Sequence, residues 1–345
     1  MSEPITTTGD SPGLRSFECS GAIPTHLAEQ FETIARQLVG LSHVLLHDRD
    51  AVPPSIRVVI ADDVWHAATA EAAVLECSDM EGRTGPERLA GVVAGKTLRS
   101  SDGEQATLVL STAAFDSDAP IWRATAIAAH EFGHVIYGTA RDRHVKPRPD
   151  AWLPWDVAEV THIVAAEEFR VECFAHVATD VLITVSDGND SVPYRSAIYS
   201  SMASLATTAI DRFHSEALNV IDRYRRRELP GDEGERLITM WNSVAQLSGD
   251  LAKSLVLEHA ARRAPGTLLD AAVTDAETTA SVACRTLLEY LDLHNRIPDA
   301  DEWPKDRSDL AAIGNEAWLA TWLRLGLTPT PYGDTFHLSV GDPQL

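Results

Sequence analysis

The chain has 345 residues, 44% hydrophobic and 23% charged, which is the composition of a globular protein rather than of a disordered or fibrous one. Its 51 acidic and 29 basic residues give a formal net charge of −22 at pH 7, and a surface of this sign repels phosphate backbones, so nucleic acid is excluded as an expected partner. Because residues 1–16 lack a signal-peptide pattern and no stretch approaches the roughly 18 apolar residues of a membrane helix, we expect a cytoplasmic protein with no membrane association.

The first predicted elements lie between the N-terminus and residue 111. Residues 1–22 are rich in Thr, Ser, Gly and Pro, which predicts a disordered N-terminal segment. Hydrophobic residues then recur at helical spacing over residues 24–39 and predict a helix. Three short runs rich in Val, Ile or Leu follow, each close to Pro, Gly or Asp, and are typical of strands: SIRVVIA (55–61), GVVAGKTL (91–98) and ATLVLS (106–111).

After these runs the chain is predicted to be mainly helical. Capping residues and a proline over residues 116–120 predict a helix start, and Gly138 predicts the end of that helix. A second helix is predicted over residues 156–182, and four or five more over residues 194–325, where Pro-Gly and Pro-Asp pairs separate them. Turn residues predict a small hairpin over residues 327–340.

The sequence AAHEFGHVIYG, residues 128–138, contains the strongest chemical signal in the chain. On a helix, His130 and His134 project from one face, since residues four apart lie about 6 Å from each other. Two neutral imidazoles at this spacing can hold one Zn²⁺, and Glu131 lies beside that ion, where it can take a proton from a metal-bound water. Two surface histidines on an ordinary helix are the alternative interpretation, but the apolar flanks indicate a buried helix, in which histidines without partners would be costly.

A catalytic zinc also requires a third protein ligand and an open fourth position. The metzincin pattern would place that ligand at position 140, where this chain has Ala140, so that class is excluded. A glutamate on the second helix is the other solution, and Glu168 and Glu172 lie four residues apart on one helical face. One carboxylate can bind the metal while the other accepts the N–H of a ligand histidine and fixes its orientation. Glu167 is the competing ligand, but Val171 occupies the position four residues later, so Glu168 is preferred.

The two motifs together resemble those of a gluzincin metallopeptidase. The HEFGH sequence at 130–134 is followed by E-x-x-V-E-x-F-A at 168–175, which is similar to the E-x-x-A-[DN]-x-F-A helix of ImmA/IrrE-like peptidases. Val171 and Glu172 replace the smaller residues of that pattern. The resemblance covers roughly residues 50–185, does not extend past about residue 190, and implies a zincin-like fold in which a small sheet packs on the HExxH helix.

The resemblance implies zinc-dependent hydrolysis of peptide bonds. His130, His134 and Glu168 would hold one zinc ion per chain, and the ion would lower the pKa of its water to near neutrality. Glu131 would take a proton from that water and pass it to the leaving amine. The developing oxyanion requires a further donor besides the metal, and the candidates near the motifs are Tyr137, His144, His162, His176 and Tyr194.

Two other classes of protein remain open at this stage. Glu131-x-x-His134 and Glu159-x-x-His162 are both E-x-x-H pairs, and two such pairs with two further glutamates form the di-iron carboxylate site of helical-bundle oxidoreductases. This interpretation leaves His130 and the predicted strands without a role. The second alternative is a non-catalytic binding protein on a metallopeptidase scaffold, although such a protein would not need Glu131.

We therefore predict an α+β protein with a zincin-like catalytic domain over residues 23–190, preceded by the disordered segment 1–22. A mostly helical extension over residues 191–326 and a turn-rich tail over 327–345 complete the predicted organisation. The predicted activity is that of a zinc metalloendopeptidase acting on a protein or peptide substrate. The helical extension is a candidate surface for a regulatory protein partner, and its tryptophans Trp303, Trp318 and Trp322 are predicted to pack in the core.

Overall fold

The computed structural model describes residues 5–7, 16–21, 29, 32–34, 36–41, 55–77, 95–100, 102, 104–115, 121–144, 153–187, 192–263 and 279–344. This part of the chain forms an α+β protein that is mainly helical, with one small mixed sheet and a separate two-stranded hairpin. The chain divides into two compact units, Met1–His144 with Val171–Tyr194, and Val145–Arg170 with Arg195–Leu345. The division passes through one long helix, which therefore contributes to both units.

The first unit contains a five-stranded sheet with the strand order β1-β2-β3-β5-β4. The inner strands β2, β3 and β5 pair in parallel, whereas β1 and β4 are antiparallel to their neighbours, so the sheet is mixed. The strands are β1 (Ile5–Thr7), β2 (Ser16–Gly21), β3 (Ser55–Ala61), β4 (Gly95–Arg99) and β5 (Gln105–Ser111). The three predicted strands are thus confirmed, except that residues 91–94 of the second run lie outside the described residues.

Two strands lie inside the segment that the sequence predicts to be disordered. β2 pairs in parallel with β3 over Ser16–Gly21, and β1 adds to its other side. The pairing supplies partners for the backbone groups of a segment whose own composition is polar, and local composition does not reveal a partner strand. Further on, residues 36–41 are helical, in agreement with the helix predicted over 24–39, and none of the described helices is long and apolar enough to cross a membrane.

Helix α1 (Val64–Val74) covers one face of this sheet. Its buried residues recur every four positions and are Val64, Ala68 and Ala72. They form one cluster with Leu98 of β4 and Val109 of β5. Side chains alternate along a strand, so the neighbours of Leu98 point to the opposite face of β4. That face carries Gly95, Thr97 and Arg99.

Helix α2 (Ile121–His144), which contains the HExxH sequence, packs against this opposite face of β4 and β5. It continues past Gly138, so the prediction that the helix ends there is wrong. Gly138 has a different role: a Cβ atom at this position would lie 2.3 Å from Cζ of Arg99. The glycine permits the close approach of the Arg99 side chain rather than a left-handed turn at a helix end.

Helix α3 (Pro154–Asp187) is longer at both ends than the predicted helix over 156–182. In the first unit its residues after 170 pack closely against α2. A Cβ atom at Gly133 would lie 2.9 Å from Cγ1 of Val171 and 3.2 Å from Cδ1 of Phe174. The glycine inside the HExxH sequence therefore lets the two helices approach each other at the level of the two histidines.

Among the described residues, the second unit contains the first part of α3, four further helices and the hairpin. The helices are α4 (Val192–Arg225), α5 (Glu233–Arg263), α6 (Thr279–Leu293) and α7 (Trp303–Arg324), and the hairpin strands are β6 (Leu327–Tyr332) and β7 (Thr335–Val340). The predicted hairpin is confirmed by the antiparallel pairing of β6 with β7. Trp303, Trp318 and Trp322 are buried, as predicted.

A buried ion pair fixes the first part of α3 within this unit. Both terminal nitrogens of Arg170 donate hydrogen bonds to the carboxylate of Asp306, at 2.9 and 2.5 Å. Tyr290 donates to the same carboxylate at 2.8 Å, and Nε of Arg170 donates to the backbone carbonyl of His294 at 3.1 Å. A bidentate arginine–carboxylate pair has a specific geometry. The network therefore fixes the position of α3 at Arg170, two residues after Glu168.

Candidate metal centre

Helices α2 and α3 bring His130, His134 and Glu168 together. Each side chain offers one ligand atom, and these atoms all lie within 4.8 Å of one another. Glu168 lies one turn before Glu172 on the same uninterrupted helix, and Glu172 contacts His130 directly, so helix geometry itself carries Glu168 to the histidines. These three side chains could hold a metal ion, and they are the one group of this kind among the residues that the structure describes.

The two imidazoles already have the separation that a shared ion requires. Nε2 of His130 lies 3.2 Å from Nε2 of His134, and the two rings meet edge to face with an interplanar angle of 82°. Two nitrogens bound to one tetrahedral ion at 2.0–2.1 Å are about 3.3 Å apart. The histidine pair therefore fits a tetrahedral metal site without rearrangement of the helix that carries it.

Glu172 sets the orientation of the first histidine. Its Oε2 lies 2.6 Å from Nδ1 of His130. Because a carboxylate accepts hydrogen bonds, Nδ1 carries the ring proton and donates a hydrogen bond to Glu172. In that tautomer Nε2 of His130 keeps its lone pair, and this is the atom that faces His134. This is the contact predicted between the second glutamate and one of the two histidines, and its role in orienting a metal ligand stays a prediction. The other carboxylate oxygen of Glu172 lies 3.3 Å from Nε2 of His176, which also lies on α3.

Strand β4 holds Glu131 in place. The hydroxyl oxygen of Thr97 lies 2.7 Å from the backbone carbonyl oxygen of Glu131 and 2.8 Å from its Oε2. A Cβ atom at Gly95 would lie 2.7 Å from Cγ of Glu131, so only a glycine leaves room for this side chain. Sequence reasoning missed both contacts, although strand alternation places positions 95 and 97 on one face.

The electrostatics of the centre favour a bound cation. Three glutamates of the two helices are almost fully buried, since Glu131, Glu168 and Glu172 are 8%, 5% and 6% exposed. Burial of carboxylates is costly unless positive charge compensates it. Part of that charge comes from Lys253 of α5, whose ammonium pairs with Oε1 of Glu168. Lys253 is 85 residues away in sequence from Glu168, and no local pattern indicates the contact.

The residues that the sequence offered as oxyanion donors lie in different environments. Tyr137 is buried on α2, His176 contacts Glu172, and His162 is completely buried in the second unit. The side chains of His144 and Tyr194 lie outside the described residues. Among the five candidates, His176 thus has a described contact with a residue of the centre.

The second E-x-x-H pair has other partners. Glu159 accepts a hydrogen bond from Nε of Arg307 at 3.1 Å. Nδ1 of His162 lies 3.4 Å from the backbone carbonyl of Ala158, and its ring meets Trp318 edge to face. Burial lowers the pKa of His162 to about 4, so this imidazole is neutral at pH 7. Neither Glu159 nor His162 belongs to the group that could hold a metal ion.

Comparison with protein-family models, with curated proteins and with solved structures finds no match for this chain. The side chains of the centre, their contacts and their burial are therefore what bears on function.

Proposed function

We propose that the protein is a zinc metallopeptidase of gluzincin type, in which His130, His134 and Glu168 hold one zinc ion and Glu131 is the general base. The observation that carries the proposal is that the ligand atoms of these three residues all lie within 4.8 Å of one another. Glu131, which follows His130 in the sequence, is buried. Two imidazoles and one carboxylate form the ligand set of one class of catalytic zinc sites, which leaves the fourth position open.

The surrounding residues support a hydrolytic role. A zinc ion held there would lower the pKa of a coordinated water to near neutrality and polarise a peptide carbonyl. Glu131 takes the proton of the attacking water and delivers it to the leaving nitrogen. The Thr97 hydroxyl contacts the Glu131 carboxylate and Gly95 leaves room for its side chain, so both limit the rotation of the proposed base. Glu172 keeps His130 in the tautomer that presents Nε2.

The position of β4 favours an extended peptide as the substrate. β4 is the last strand in the order of the sheet, and in the described part of the chain it pairs on one side, with β5. The edge strand of a sheet can accept an extended peptide through backbone hydrogen bonds. β4 is also the strand that contacts Glu131, so a peptide bound along it would run beside the general base.

The experiment uses the full chain and its Glu131→Gln variant. Gln keeps the shape of the side chain and cannot act as a base, so we expect one zinc per chain in both proteins and a loss of cleavage of about 10²–10⁴-fold in the variant. Metal content is measured by elemental mass spectrometry, and cleavage by mass spectrometry of a diverse peptide library. Glu167→Gln is the matched control, because it alters a glutamate on α3 that lies outside the metal group.

Undiminished cleavage by the Glu131→Gln variant would contradict the assigned base. Two irons per chain would support the di-iron oxidoreductase instead. One zinc per chain with no cleavage of any library peptide by the wild-type protein would support the non-catalytic binding protein.

A further inference from the structure

Lys253 connects helix α5 to the candidate metal ligand on α3. Its ammonium donates directly to Oε1 of Glu168, and both residues belong to the second unit. The two partners differ in their access to solvent, since the side chain of Lys253 is 23% exposed and that of Glu168 is 6% exposed. The carboxylate is thus fixed in the interior, whereas the ammonium lies at the end of a flexible stem that reaches solvent.

A metal ion and Lys253 would share one carboxylate. In the metal-free chain the ion pair offsets the cost of burying Glu168. A divalent cation held by the same carboxylate would place a second positive charge close to the ammonium, and two such charges would repel each other strongly in a partly buried site. The side chain that can withdraw is Lys253, because it alone of the two reaches solvent.

We propose that Lys253 and the metal ion compete for Glu168, so that Lys253 determines the concentration of free metal at which the centre fills. This inference rests on the proposed function in one respect, that Glu168 is a metal ligand. Without bound metal, Lys253 would hold Glu168 through their ion pair. Metal entry exchanges the lysine–glutamate ion pair for a metal–glutamate bond and releases the ammonium toward solvent.

The test compares the zinc affinity of the full chain with that of Lys253→Met, which keeps the length of the side chain and removes its charge. Zinc affinity is measured by competition with a chromophoric chelator, and the melting temperature is recorded with and without zinc. We expect the variant to bind zinc about tenfold more tightly or more. Its metal-free form should melt at a lower temperature, and its melting temperature should rise more on zinc addition than that of the wild type.

Two control variants separate the charge of Lys253 from other effects. Lys253→Arg keeps a cation at Glu168 and should retain the zinc affinity of the wild type within about threefold. Lys305→Met removes an exposed positive charge from α7 and should also leave the zinc affinity unchanged. If Lys253→Met does not fold, Lys253→Gln takes its place, since the amide can donate to Glu168 without a charge and should also raise the affinity.

The possible results distinguish this inference from the proposed function. Equal or weaker zinc binding by Lys253→Met or Lys253→Gln overturns the competition and leaves the peptidase proposal standing. Tighter zinc binding by these variants, with no peptide cleavage by any of the proteins, supports the competition and contradicts the peptidase. Absence of zinc binding in every variant overturns both.

Discussion

Two pairs of glutamate and histidine share one spacing in this chain and have different surroundings. Glu131 and His134 lie on α2, where a second histidine and the carboxylates of α3 are close. Glu159 and His162 lie on α3, where an arginine contacts the carboxylate and the imidazole is enclosed by the core of the second unit. The same four-residue motif therefore gives a candidate metal centre in one place and a packed interior in the other, because the neighbouring helices supply different groups.

Each pair depends on a glycine that lets a neighbouring helix approach. Gly133 admits Val171 and Phe174, which brings the acidic part of α3 toward the histidines. Gly314 of α7 admits Ala158 and His162, since a Cβ atom there would lie 2.6 Å from the Ala158 carbonyl oxygen. The approaching helix then decides the chemistry: α3 carries Glu168 and Glu172 toward the first pair, and α7 carries Trp318 toward the second.

The largest effect is expected on zinc affinity, when the histidine of each pair, His134 or His162, is replaced in turn. His134→Ala removes one of the three proposed metal ligands and should reduce zinc affinity by more than about 100-fold, which exceeds the typical loss when a residue that only orients a ligand is removed. His162→Leu should keep one zinc per chain, because His162 lies outside the metal group. Metal content after dialysis, with circular dichroism to verify folding, gives the answer. Loss of metal from folded His162→Leu would remove the distinction between the two pairs.

The next effect is a pH dependence of stability that arises from His162 of the second pair. Burial lowers the pKa of His162 from 6.5 to about 4, so the unfolded chain binds this proton more readily than the folded chain. The contribution of neutral His162 to stability is present above pH 6.5 and is lost as the pH falls toward 4, at up to about 1.4 kcal/mol per pH unit.

Urea denaturation of the metal-free chain from pH 7 to pH 4.5 measures this dependence. The free energy of unfolding should fall less steeply with decreasing pH in His162→Leu than in the wild type, since the variant lacks the titrating group. Parallel curves for the two proteins would show that His162 does not carry the difference.

The smallest effect concerns the glycine that admits His162. Gly314→Ala should lower the free energy of unfolding by about 1–3 kcal/mol, because the added methyl group meets the backbone of α3. Gly249→Ala is the matched control on α5, where nothing lies within 4 Å of the added atom. That variant should be more stable than the wild type by up to about 1 kcal/mol, through helix propensity. Equal stability of the two variants would mean that the approach at Gly314 is not tight.

The parts of the fold that could be predicted are those encoded by local patterns. The hydrophobic runs that became β3 and β5 carry their signal within seven residues each. The end of α2 was predicted wrongly because Gly138 makes room for Arg99 instead of ending the helix. The sequence does not distinguish a glycine that ends a helix from one that permits a close contact. The strands β1 and β2 depend on pairing with β3, which their own composition does not encode.

The candidate site divides in the same way. His130, His134, Glu168 and Glu172 were found because helical spacing of four residues places each pair on one face. Thr97, Lys253 and Arg307 were missed, since each meets its partner only in the folded chain, 34, 85 and 148 residues away respectively. A single sequence contains no periodic signal for such contacts, and their chemistry becomes visible only when the helices are packed.

The ion pair between Arg170 and Asp306 has a consequence for biosynthesis. The ribosome adds Asp306 136 residues later than Arg170. Until then the guanidinium of Arg170 lacks the carboxylate with which it pairs in the folded protein. The nascent protein therefore carries both histidines long before the stretch of α3 around Glu168 acquires its fixed position. The group formed by His130, His134 and Glu168 is therefore complete only after the C-terminal helices have been synthesised.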